Sequence, residues 1–171
     1  MQDLRVTKTL QAIEEAFYSL RAEKDLEKIK IKELCEKALI NKTTFYTYYT
    51  DIFDLSNQIE NRFINEKFKV LPIYTSLDFD IKAVIYDIFS AFECLETKIL
   101  FKDRYDVLMT KCEKKILEDY KIIINTKEKQ MFASFYVFGA FKILYGSDAP
   151  RSLKMKILAT IAETWLKDAI K

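Results

Sequence analysis

Histidine is absent from this chain of 171 residues. With it go the commonest general base, the Ser-His-Asp and Cys-His arrangements, and most zinc and haem sites. Glycine and proline number two each. A Rossmann fingerprint and a phosphate-cradling P-loop both need several glycines close together, so neither fits. Barrels, sandwiches and doubly wound sheets need frequent turns, and so few breakers argue for long helices instead. Cysteine occurs three times, as Cys35, Cys94 and Cys112, with no CxxC pair. An odd, scattered set suits neither a disulfide framework nor a Cys-only zinc site, and points to buried thiols in a reducing cytoplasm. Long apolar runs are missing too. The longest uncharged one, Gln130 to Phe141, is well short of the ~20 residues that a membrane-spanning helix needs. Met1-Gln2-Asp3-Leu4-Arg5 has no apolar signal region, so a cytoplasmic protein without a membrane partner is expected.

What is present fits a globular protein: half the residues are hydrophobic and 32% are charged. The length suits one compact domain, or a small module joined to a larger one. Net charge is only +2. Over 28–51 the balance is Lys28, Lys30, Lys32, Lys37 and Lys42 against Glu33, Glu36 and Asp51. That is a weak electrostatic footprint for nucleic acid, so local pattern has to carry the reading.

Apolar spacing is helical throughout. Leu10, Ile13, Ala16, Phe17 and Leu20 predict an amphipathic helix over about 5–23. Lys28 to Lys32 alternates like a strand, but five residues without a partner make no sheet, and the stretch leads instead into a second helix at about 31–38. Asn41 is a good N-cap for a third, from Lys42 to about Tyr49. Asp51 caps a long fourth helix, with Asp54 in its first turn. Its apolar face is Leu55, Ile59, Phe63 and Val70, and Pro72 ends it. Further helices are expected at about 79–98, 103–124, 127–145 and 150–170, the third of these closed by Gly146 and the last opened by Ser147-Asp148-Ala149-Pro150.

The informative stretch is Ile31 to Leu55, IKELCEKALINKTTFYTYYTDIFDL. Two short helices are joined by a tight turn. The second, Lys42 to Tyr49, has no acidic residue and is dense in hydroxyls. Its N-terminus suits phosphate. Thr and Tyr hydroxyls can donate to phosphate oxygens, and Lys42 can reach a phosphate or a guanine edge. Phe45 and Tyr49, four residues apart, would anchor it to the core. A helix-turn-helix has this geometry, and an ordinary helical hairpin with an aromatic core face has the same periodicity.

The spacing of the whole stretch resembles the DNA-binding region of tetracycline-repressor-like (TetR family) regulators. The matching pieces are Ala16-Phe17 with Leu20, Lys32 to Ala38, Asn41 to Tyr49, and Asp51 with Leu55. The resemblance covers about residues 5–60; beyond it the chain is similar only in its helical character and length. It implies an all-α protein, with a three-helix helix-turn-helix domain over 1–50 and a helical effector-binding and dimerisation domain over 51–171. DNA-binding positions by this resemblance are Lys30, Lys32, Lys42, Thr43, Thr44, Tyr46, Thr47 and Tyr48. Lys42 and Thr43 would read bases, Thr44 and Tyr48 would bind phosphate, Tyr46 would lie on the DNA backbone, and Thr47 would set specificity. The partner implied is a palindromic duplex operator bound by a homodimer, as in a ligand-responsive regulator, most often a repressor.

Three residues depart from that pattern. Lys30 stands where Thr or Ser usually caps the second helix, Leu39 where the turn usually has Gly, and Ile52 where a Lys commonly grips phosphate. These departures carry the alternative of an interaction protein on the same fold, with weak or lost DNA binding.

Past residue 126, Met131 to Phe141 is apolar nearly all round its helix, so more than one side must be buried. The last helix repeats Leu153, Ile157/Leu158, Ile161/Ala162 and Trp165/Leu166. An intramolecular core accounts for both patterns. The resemblance implies instead a four-helix dimer interface, with Phe135, Phe138, Gly139, Ile161 and Trp165 on it. It also implies a pocket for a small apolar or aromatic-binding effector, with Phe89, Tyr105 and Tyr136 as lining residues and Tyr86 among the surrounding aromatics. The carboxylate pairs Glu93/Glu96 and Glu118/Asp119 suit solvated helix faces. No catalytic residue, metal ligand or cofactor is expected, and the chain is not read as an enzyme.

Overall fold

The computed structural model describes residues 4–69, 87, 89–121 and 124–169, with side chains to residue 164. Val70, Pro72, Tyr86 and the start of the helix expected at 79–98 lie outside them, as does the side chain of Trp165. The described residues are helical, with no strand among them. The helices are α1 (Leu4–Glu23), α2 (Ile31–Lys37), α3 (Lys42–Tyr48), α4 (Ile52–Lys69), α5 (Leu95–Phe101), α6 (Tyr105–Asp119), α7 (Lys127–Tyr145) and α8 (Arg151–Ala169), with a 3-10 turn at Leu26–Lys28. No helix among the described residues is long and apolar enough to cross a membrane.

Contacts divide the chain into two compact units. One comprises Met1–Phe63 with Leu95–Tyr105, the other Ile64–Cys94 with Asp106–Lys171.

In the first unit α1 packs on α2 and α5, and α2 packs on α3. Ile13, Phe17, Leu20, Leu26, Leu34, Phe45, Leu55, Ile59, Leu100 and Phe101 fill its core. Burying a side chain of this size stabilises by about 1.5–3 kcal/mol, which outweighs the weak propensity of a seven-residue helix such as α2 or α3. Charge is buried here too. The Arg21 side chain is fully enclosed, and its guanidinium donates to the carboxylate of Asp103, to the Leu100 carbonyl at 2.8 Å and to that of Lys24 at 3.2 Å. Leu26 N donates to the second Asp103 oxygen at 3.3 Å. Nearby in sequence, Arg104 donates to Glu60 Oε1 at 2.7 Å and to Ser56 Oγ at 3.2 Å. Ser56 itself donates to Glu60 at 2.6 Å. These bonds fasten the 95–105 segment to α1 and α4.

The second unit holds α6, α7 and α8 with the helical residues 89–92. Phe89 meets Phe141 edge to face, and Phe68 packs on Phe92. The α7–α8 pair is tied by Tyr136, whose hydroxyl donates to the Leu158 carbonyl at 2.9 Å. Lys154 Nζ reaches the Leu144 carbonyl at 2.8 Å, a cation at the C-terminus of α7. Thr126 caps α7 by accepting from Lys129 N, and Gly146 closes it.

Several boundaries differ from those read off the spacing. The helix expected at 79–98 is broken at Glu93 and Cys94, and α5 starts afresh at Leu95. The helix expected at 103–124 runs only from Tyr105 to Asp119, because Asp103 is held by Arg21 and Arg104 N closes a turn on Phe101 O. Pro150 precedes α8 rather than opening it, its carbonyl accepting from Leu153 N and Lys154 N. None of the cysteines is in a disulfide; Cys35 and Cys112 are buried and Cys94 is half-buried.

Candidate nucleic-acid interface

Helix α3 is short, and two aromatic side chains fix it. Phe45 and Tyr49 are buried and their rings lie 5.6 Å apart. The rest of α3 is thereby turned outward. Asn41 caps it, its Oδ1 accepting from Thr44 N at 2.7 Å and from Thr44 Oγ1 at 2.9 Å. Lys42, Thr43, Tyr46 and Thr47 are exposed, while Thr44 and Tyr48 are half-buried. Spacing of one and four residues puts Lys42, Thr43, Tyr46 and Thr47 on one face. No carboxylate lies within α3.

Hydrogen bonding divides the hydroxyls into two sets. Thr44 gives its proton to Asn41, and Thr47 gives its own to the Thr43 carbonyl at 3.0 Å. While those bonds stand, each hydroxyl can only accept. The side-chain hydroxyls of Thr43, Tyr46 and Tyr48 make no hydrogen bond among the described residues, so they retain a donor for an external acceptor.

The lysines divide likewise. Lys32 faces Glu36 at 3.8 Å, an exposed pair of little energetic weight. Lys30, Lys37 and Lys42 are exposed and make no ion pair among the described residues. Lys37 was not among the expected binding residues; its only signal in the sequence is its place in the run of lysines over 28–42.

The three departures have distinct structural outcomes. Lys30 occupies the N-cap position of α2 and supplies no side-chain cap, as an ammonium, which has no acceptor, must. Ile52 is only 7% exposed, so its apolar side chain belongs to the core. Asp51 opens α4 in its place, accepting from Asp54 N at 2.8 Å, while Asp54 accepts from Thr50 N at 2.9 Å. The Gln58 side chain, followed by Thr50 N, holds the Asp54 carboxyl below its ordinary range.

Leu39 completes the α2–α3 turn with φ 55°, the left-handed region. Leu39 N donates to Glu36 O at 3.3 Å and Ile40 N to Cys35 O at 3.0 Å. These two bonds make a Schellman ending, whose left-handed position usually holds Gly.

The expected dimer residues fall on α7 and α8. On α7, Val137, Ala140 and Phe141 are buried, whereas Met131, Phe135 and Phe138 are exposed, Phe135 to 71%. On α8, Leu158, Ala159 and Ala162 are buried, whereas Leu153, Ile157 and Ile161 are exposed. The outward residues recur at three and four residues, so each helix carries a second apolar stripe. A methyl added at Gly139 would meet nothing within 4 Å. The expected effector residues are placed as follows. Phe89 is buried against Phe141, and the Tyr136 hydroxyl is engaged with Leu158. Tyr105 belongs to the first unit, Phe89 and Tyr136 to the second. Burial raises the ionisation of both tyrosines above the ordinary range, so each phenol stays protonated at neutral pH.

Among the described residues no cluster of three or more acidic or cysteine side chains could hold a metal ion. No protein-family model matches the chain, and no curated protein or solved structure matches it either.

Proposed function

We propose that this chain is a ligand-responsive, DNA-binding transcription regulator that acts as a homodimer, most naturally as a repressor. One observation carries the reading. The exposed face of α3 presents Lys42 without an ion pair and free donors on Thr43 and Tyr46, with no carboxylate in the helix, while Phe45 and Tyr49 lock it to the core. Such a surface suits the major groove and its flanking phosphates. The unpaired cations Lys30 and Lys37 of the α2 segment would add phosphate contacts.

The apolar stripes of α7 and α8 support the homodimer. A two-fold pair would cover both and set two α3 helices on half-sites one turn apart, about 34–36 Å. An effector held by the second unit would act by binding better to the conformation with the wrong half-site separation. DNA affinity would then fall by the differential binding energy.

A second reading, an interaction protein on the same fold, is favoured by Ile52, which is buried where a phosphate-gripping lysine would stand. Fluorescence anisotropy separates the two. The protein is titrated into its own upstream DNA across a salt series, with random DNA as competitor. Preferential binding with a steep salt slope, weakened in Lys42→Ala and Tyr46→Ala, supports the regulator. Equal binding to random DNA at about 100–150 mM salt, with adjacent candidate operators also tried, sinks it.

A further inference from the structure

The reading of α2 and α3 leaves Leu39 without a role. Its φ of 55° is the one positive value recorded for a non-glycine residue among those described, and its side chain is 92% exposed. Both properties argue against leucine on grounds of stability. Glycine takes the left-handed conformation without conflict at Cβ, and the leucine side chain buries almost nothing in return. A residue held in a sparsely populated conformation, with no gain inside its own chain, points to a role outside it.

Position narrows what that role is. Leu39 precedes Lys42 by three residues, so it lies at most about 11 Å from it along the chain. A major groove is about 12 Å wide. The exposed cations on either side, Lys37 and Lys42, make no ion pair among the described residues, and they favour a polyanion over an apolar protein surface. The apolar group that a base pair offers in the major groove is the thymine C5-methyl. We infer that Leu39 is a specificity-determining residue that contacts a thymine methyl at the edge of each half-site. This rests on the DNA-binding reading above.

The test begins with duplexes selected from a random pool by the full-length wild-type protein. In the best of them each thymine is then replaced singly by uracil, which removes only the methyl. The expected result is a loss of about tenfold in affinity at one symmetry-related pair of positions. Leu39→Gly should bind the parent duplex about as weakly as wild type binds the uracil form, and should be indifferent to the replacement. Leu39→Asn, which tolerates the same backbone conformation, repeats the test should the glycine variant fold poorly. Leu39→Met should restore uracil sensitivity.

Three results overturn the inference, and they are distinguishable. Wild type that selects a sequence but ignores every uracil refutes the methyl contact and leaves DNA binding standing. Uracil sensitivity that survives in Leu39→Gly and Leu39→Asn assigns the contact to another residue and turns Leu39 toward a protein partner. Wild type that selects no sequence removes the DNA-binding reading and the inference with it.

Discussion

The two compact units differ in the charge they enclose and in how their exposed apolar residues are grouped. In the first, Leu4, Leu39, Tyr46, Phe53 and Leu95 each stand on a separate helix or turn, whereas in the second such residues form stripes. The first encloses Arg21 and Glu60 completely, along with Ser56 and Thr97; no other polar or charged residue is recorded as buried among those described. The second leaves Met131, Phe135, Phe138, Leu153, Ile157 and Ile161 in water. Enclosed ions are stable only when their partners are in place, and taking one partner away leaves a buried charge uncompensated. Apolar stripes on two adjacent helices have a different meaning: they expose surface of the kind that interfaces cover.

The first contrast is tested by removing one partner of the buried pair. Asp103→Asn leaves the Arg21 guanidinium enclosed with no carboxylate. Loss of about 3–5 kcal/mol in stability is expected, measured by denaturant unfolding. The pH dependence carries a sign. Burial pushes the Asp103 carboxyl up, but the Arg21 hydrogen bond and charge outweigh it, so it ionises below its ordinary 3.8. A lowered carboxyl contributes stability above 3.8 that is lost as pH falls through its folded-state value. Wild type should therefore lose stability more steeply than Asp103→Asn below about pH 4. An equal slope in both would show that this pair does not couple to acid.

Covering the apolar stripes is the second contrast. If two copies meet there, Phe135→Glu should weaken self-association by at least about 2 kcal/mol, some thirtyfold in dissociation constant. Sedimentation velocity at micromolar concentration would then show monomer in place of dimer. Thermal midpoints of wild type should rise with concentration, and those of Phe135→Glu should not. A wild type that sediments as a monomer at every concentration would leave the stripes to a different partner.

The helical character of the chain and several helix ends were legible in the sequence, and the failures have physical causes. Helices α1, α3 and α7 begin and end close to where apolar spacing and caps place them, because Asn41 and Gly146 are local signals. The doubled pairs of α8, Ile157/Leu158 and Ile161/Ala162, resolve into one inward and one outward residue each; periodicity could not say which. The break at Glu93–Cys94 was hidden, since apolar residues continue across it at helical spacing. Arg21 was hidden more deeply. It sits at the polar end of α1, and its partner Asp103 lies 82 residues away in sequence. For the candidate interface, the exposed face of α3 followed from Phe45 and Tyr49. That Thr44 and Thr47 have committed their protons did not, because hydroxyl direction depends on three-dimensional neighbours.

The polar face of α3 is sharpened by a smaller effect. Lys42→Ala should weaken operator binding by about 1–3 kcal/mol if the ammonium reads a guanine edge, with loss of preference at that position. Should it contact phosphate alone, all sequences weaken together and the slope of log affinity against log salt drops by about one. Anisotropy on the operator and on a duplex mutated at one position distinguishes the two. No change in either measurement would remove Lys42 from the interface.

The smallest effect has the opposite sign. Leu39→Gly should stabilise the protein, because the Schellman ending of α2 keeps both of its hydrogen bonds while the conflict at Cβ disappears. Left-handed leucine costs about 1–2 kcal/mol. Against this stands the greater freedom of glycine in the unfolded chain, worth roughly 0.5–1 kcal/mol. The net gain runs from about zero to about 1.5 kcal/mol, the upper end being some 3–6 °C in thermal midpoint for a chain of this size. Gly146 makes the matching control. A methyl there would stand 2.8 Å from the Lys142 carbonyl oxygen, so Gly146→Ala should lower the midpoint. A gain at Leu39 together with a loss at Gly146 would mean that this chain keeps its glycine at one helix end and forgoes it at another, at the turn before α3. Clearly lower stability in Leu39→Gly would mean that the leucine conformation is not strained, and the case for an outside role at that turn would lose its basis.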